Sequence, residues 1–195
     1  ASSRGHKQKT AYGEITFPIT NSNQYISYMA TVKAAIENKA TLRKYQHDFF
    51  KSALGKARKQ KTQGYTFNDE HDQNRVKAFI DKLLLHQVQV YKSNNGFVVP
   101  TAQPQYRMVQ SIFETYEKYR DSVYYDASAW SLANFYNMKY KPVTTINLGE
   151  QVTDTKTLVQ VKQVKKSAYA YIIDYDDYNA VAALNYLKTK GLIVS

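Results

Sequence analysis

Residues 64 to 91, "GYTFNDEHDQNRVKAFIDKLLLHQVQVY", decide how the fold is read. "GYTFN" is a short run of aromatic and β-branched residues behind a glycine, the composition of a strand. From Asp72 to His86, Val76, Phe79, Ile80, Leu83 and Leu84 recur at three- and four-residue steps, which predicts an amphipathic helix. "QVQVY" (87 to 91) reads as the next strand and "GFVVP" (96 to 100) as another. The pattern returns near the end of the chain, where "AYAYIID" (168 to 174) predicts a strand, Tyr178–Lys190 a helix and "LIVS" a final strand. Repeated strand–helix–strand alternation predicts right-handed crossovers in an α/β fold. The expected sheet is mostly parallel with helices on both faces, and 64–68, 87–91 and 168–173 are its central strands.

Toward the N-terminus the character changes. "EITFPI" (14 to 19) predicts a strand ending near Pro18. Asn21 to Lys59 is helical, with Ile26, Met29, Val32 and Ile36 on one stripe and Leu42, Tyr45, Phe49 and Ala53 resuming it after a break at Asn38–Thr41. "GKARKQKTQG" (55 to 64) has few apolar residues and reads as a linker. The chain therefore divides into residues 1–61, a strand and long helix, and residues 62–195, an α/β domain. Within the latter, Gln105–Tyr119 and a segment starting near Asp126 predict helices, with Trp130 in the core, and 140–165 reads as extended or loop.

With 195 residues and 43% hydrophobic content, the chain is long enough to bury a core without metal or disulfide staples. No apolar run approaches the ~20 residues of a transmembrane helix. Cysteine is absent, which excludes thiol nucleophiles and disulfides and leaves the compartment open. The chain opens on Ala1 and is expected to be a processed product or an internal fragment. The net charge of +11 comes from 21 Lys and only six Arg. Specific nucleic-acid readout favours Arg, so a solvated Lys-rich surface is expected and no nucleic-acid partner.

Candidate chemistry is sparse. "FVVPTAQPQYRMVQSIFE" (97 to 114) is a strand, a tight turn and a helix, the place where some α/β enzymes keep a nucleophile. Here the turn offers Thr101, Ala102 and Gln103, with no charge-relay partner to activate a hydroxyl. His6, His47, His71 and His86 lack the spacing of metal ligands. His47 and His86 read as structural, and His71 as part of an acidic helix start. "DYDDY" (174 to 178) is a carboxylate cluster that reads either as a cation site or as a strand end leading into a helix N-terminus. Phosphate-binding glycine loops and a GxSxG serine elbow are missing.

"FVVPTAQPQYRMVQSIFE" together with "YRDSVYYDASAWSL" resembles the C-terminal region of bacterial zinc carboxypeptidase-like proteins of the metallocarboxypeptidase A type. "SSRGHKQKTAYGEITFPITNSNQY" (2 to 25) is similar to the stretch after that family's catalytic glutamate, and "AYAYIIDYDDYNAVAALNYLKTKGL" fits further on. The resemblance implies that 1–61 closes a peptidase domain and that 62–195 is a class I glutamine amidotransferase-like domain without its catalytic cysteine. It also implies a secreted or periplasmic hydrolase that uses zinc and a glutamate base to cleave peptides. The zinc ligands and the base would precede Ala1, so the chain itself is expected to be non-catalytic and to hold no cofactor. Its partners would be the upstream catalytic domain of the same polypeptide and, for the parent protein, a peptide substrate. Arg4 and His6 are the only candidates for the active-site rim. The apolar stripe of residues 22–59 is then expected to lie under-covered. The alternative is a non-enzymatic binding module that engages peptides or cell-surface polymers through its Tyr-rich surface. A third reading is a stand-alone hydrolase.

Overall fold

The computed structural model describes residues 6–114, 131–159 and 163–194. The chain forms two units, Ala1–Phe49 and Phe50–Ser195. The start of the expected helix from Asp126, Trp130 and the end of the Gln105–Tyr119 helix fall in 115–130, outside the described residues.

In the first unit, β1 (Lys7–Thr10) and β2 (Gly13–Thr16) form an antiparallel hairpin with Lys7 opposite Thr16. Gly13 takes φ +117 at the turn, a conformation L side chains avoid. Helix α1 (Phe17–Glu37) follows at once, with Pro18 in its first turn, where a missing N–H costs nothing. It ends at Asn38, whose backbone and side-chain amides both donate to the Ala34 carbonyl. Helix α2 (Lys39–Ala57) then begins, so the break lies where the sequence puts it. No side chain of α1 is buried.

The second unit contains β3 (Gly64–Phe67), α3 (Gln73–Leu85), β4 (Val90–Ser93), β5 (Gly96–Pro100), α4 (Tyr106–Phe113), α5 (Leu132–Phe135), β6 (Tyr140–Val143), β7 (Gln151–Val152) and α6 (Ala180–Thr189). Its five-stranded sheet runs β6-β3-β5-β4-β7, and every pairing is antiparallel. The expected mostly parallel, amidotransferase-like sheet is therefore wrong. The crossover β3-α3-β4 does return its strand in the original direction, since β3 and β4 are both antiparallel to β5. A two-residue turn, Asn94-Asn95, folds β5 back between them and removes the parallel neighbour. From β3 to β6 the order is a split β-α-β arrangement, with β7 added beside β4.

Among the described residues, the core-forming helices α3 and α4 pack on the same face of the sheet. Val76, Phe79, Ile80 and Leu83 of α3 and Val109, Ile112 and Phe113 of α4 share one core with Phe67, Phe97 and Val99 of the sheet. The Phe79 ring meets Phe67 edge-on at 5.1 Å and Phe113 at 5.9 Å, favoured aromatic geometries. The opposite face, marked by Val98, is crossed by the segment from β6 to β7. A Cβ on Gly64 would lie 2.8 Å from Ile146 Cγ2 and 2.9 Å from the Val99 carbonyl, so only glycine lets this segment approach.

Two of the three expected central strands also change. Residues 87–89 are the exit from α3: Gln87 takes φ 58 and the Val88 N–H returns to the Leu83 carbonyl, which delays β4 to Val90. Residues 168–173 form no strand and have no strand partner among the described residues, with Tyr169 100% and Ile172 98% exposed. The final "LIVS" segment forms none over 192–194 either. The sheet's two edges are instead β6 and β7, from the stretch expected to be extended or loop. No helix among the described residues is long and apolar enough to cross a membrane.

Candidate functional site

The turn after β5 is a clasp. The Thr101 hydroxyl donates toward the Thr62 and Gln63 carbonyls at 3.1 and 3.0 Å, while its N–H donates to Gln63 at 2.9 Å. Gln103 is 1% exposed. Its Oε1 accepts from the Gln89 N–H at 2.7 Å, and its Nε2 donates to the Pro100 carbonyl at 2.7 Å. Buried amides need such partners. These side chains fasten the linker, β5 and the lead into β4 to one another.

The carboxylate cluster is also committed to structure. Asp72, 4% exposed, caps α3 by accepting from the Arg75 N–H at 2.8 Å. Its other oxygen accepts from the Tyr178 N–H at 2.8 Å and lies 3.2 Å from the Arg75 guanidinium. Arg75 reaches Asp69 at 3.1 Å and the Asp176 carbonyl at 2.9 Å, and Asn74 donates to Asp177 at 2.8 Å. "DYDDY" is thus the anchor that ties the segment ahead of α6 to the N-terminus of α3. Beside it, the Tyr136 and Tyr178 rings stack at 6.0 Å, and burial followed by the neighbouring Tyr178 raises the Tyr136 phenol above its ordinary range.

Arg4 lies outside the described residues. His6 is exposed just ahead of β1. His47 is exposed and sits 3.2 Å from the Asp48 carboxylate, and His86 is the exposed C-terminal cap of α3. No group of three or more His, Cys, Asp or Glu side chains suited to a metal ion occurs among the described residues.

A cleft of about 720 Å3 opens at the end of the sheet where β3 finishes and β5 and β6 begin. Its volume lies within the usual range for ligand sites, roughly 300–1,000 Å3. Phe67 and Phe97 form its floor, paired across β3 and β5 with ring centroids 5.7 Å apart. Asn68 and the Asn94-Asn95 turn form one wall, and Lys139 and Lys141 flank Tyr140 on the other. Gly96 makes the wall compact. At φ +129 it brings the turn so close that a Cβ would lie 2.6 Å from both Asn68 Cβ and the Phe67 carbonyl. Nothing in the linear pattern marked this cleft, whose residues come from three separated stretches.

No protein-family model, curated protein or solved structure matches the chain.

Proposed function

We propose that the chain is a non-catalytic C-terminal part of a secreted or periplasmic zinc carboxypeptidase-like protein, with α1 as a packing surface for the catalytic domain of the same polypeptide. The sequence resemblance supplies the family. The observation that carries the reading is α1 itself: 21 residues with no buried side chain, and Ile26, Met29 and Ile36 exposed by 60%, 46% and 71%. Lys33 and Glu37 are its only charged residues. A helix this poor in charge and this apolar is suited to burial against a partner. In this role the chain contributes scaffold. Zinc, the base and the scissile peptide belong to the catalytic domain.

The test begins with the reading frame ahead of Ala1. An HxxE motif and a later histidine encoded there support the proposal, whereas a signal peptide joined directly to Ala1 favours the binding-module alternative. The second step is Ile26→Asp with Ile36→Asp. In the chain alone the pair should change stability by less than about 0.5 kcal/mol, as exposed sites do. In the longer polypeptide it should destabilise by about 2 kcal/mol or more, because buried charge without a partner is costly. Equal small effects in both would end the packing-surface assignment.

A further inference from the structure

We infer that the cleft at the end of the sheet is a binding site for an extended acidic peptide, a role that goes beyond the scaffold function and does not depend on it. None of its lining residues is acidic. Lys139 and Lys141 are exposed and make no ion pair among the described residues, although Lys77 and Lys92 each hold a carboxylate within 2.8 Å. The exposed Asn94 and Asn95 side chains have no hydrogen bond among the described residues. The cleft thus presents two ammonium groups and two amides that the fold leaves uncommitted.

Spacing selects the ligand. Lys139 immediately precedes β6 and Lys141 lies in it, and across the intervening strand residue Tyr140 the two stand about 7 Å from each other, the repeat of alternate side chains in an extended peptide. Acidic residues at every second position of a bound strand match that repeat. Asparagine amides donate to and accept from peptide groups, as a peptide requires and a simple anion does not. Phe67 and Phe97 are 3% and 9% exposed, and the half-buried Tyr140 sets its ring against Tyr65 and Phe113, so the cleft offers no fully open aromatic face on which a sugar ring stacks. That favours peptide over polysaccharide.

The test is fluorescence anisotropy with a labelled hexapeptide alternating Glu and Gly. Lys139→Ala with Lys141→Ala should weaken binding about tenfold, two exposed ion pairs' worth. Lys33→Ala with Lys39→Ala, remote in sequence and equal in charge, should change it less than about twofold. In amide NMR spectra, peptide-induced shifts should concentrate at Asn68, Asn95 and Gly96. Equal weakening by both lysine pairs would reduce the effect to attraction by the net charge and overturn the site. The same follows if a Lys–Gly hexapeptide binds as well, or if inorganic phosphate displaces the acidic peptide at the concentration at which unlabelled peptide does. An acidic polysaccharide that outcompetes the peptide would overturn the ligand class.

Discussion

Residues 64–93 and 168–194 carry the same strand–helix–strand pattern, and only the first becomes one. Around α3, β3 and β4 each find β5 as a partner, and four α3 side chains enter the core. Around α6 the helix forms, but Ala180 is its only buried residue and the flanking segments find no strand partner among the described residues. The helical period is a local property, satisfied by backbone bonds four residues apart. A strand exists only when another strand supplies the opposite half of its ladder, so the same alternation specifies a helix in both places and a sheet in one.

The largest effect expected from this contrast is in the core. Phe79→Ala should cost about 4 kcal/mol, as large buried aromatics do, because Phe79 is fully buried between Phe67 and Phe113. Val181→Ala on α6, where the side chain is 61% exposed, should cost less than about 0.5 kcal/mol. Urea unfolding of both variants measures the pair. A cost at Val181 comparable to that at Phe79 would show that α6 belongs to the cooperative core after all.

Next in size is the anchor between the two regions. Asp72→Ala removes the cap of α3, one of the two carboxylates that pair with Arg75 and the acceptor for the Tyr178 N–H together, a loss of about 3 kcal/mol. A ten-residue helix is marginal without tertiary support. Hydrogen exchange should therefore rise across α6 while β3 and β5 remain protected. Unchanged protection of α6 would mean that the carboxylate does not hold it.

The same distinction explains what was legible in the sequence. The α1–α2 break at Asn38 and the apolar face of α3 follow from local spacing, and both are present. The sheet order is non-local. One local signal did bear on it: "SNNG" (93 to 96) is a hairpin turn, and a hairpin makes its strands antiparallel neighbours. Given its proper weight, that turn would have excluded β4 and β5 from a parallel sheet. The cleft was not legible. Asn68, Asn95 and Lys141 lie far apart in the chain and converge only because β5 and β6 both pair with β3. The peptidase resemblance rests on segments and implies residues ahead of Ala1, so it pointed away from this end of the sheet.

The smallest effect concerns pH and separates α3 from α6 on electrostatic grounds. Asp81, on the outer side of α3, accepts from Lys77 at 2.8 Å and from the Thr155 hydroxyl beyond β7. α6 has no carboxylate of its own. Partial burial pushes the Asp81 carboxyl upward, but the hydrogen bonds from Lys77 and Thr155 and the Lys77 charge prevail and hold it below its ordinary value of 3.8. With the folded pKa depressed, the contribution is complete above the unfolded value and disappears as pH falls through the folded one. The side chain is 47% exposed, so solvent screening limits the contribution to a few tenths of a kcal/mol. Asp81→Asn should therefore be slightly less stable than the native chain at neutral pH, and the difference should shrink steadily below about pH 4. Urea midpoints at matched ionic strength across that range provide the measurement. A gap that stays constant into acid would assign the link between α3 and β7 to the buried Thr155 side chain and remove the carboxylate from it.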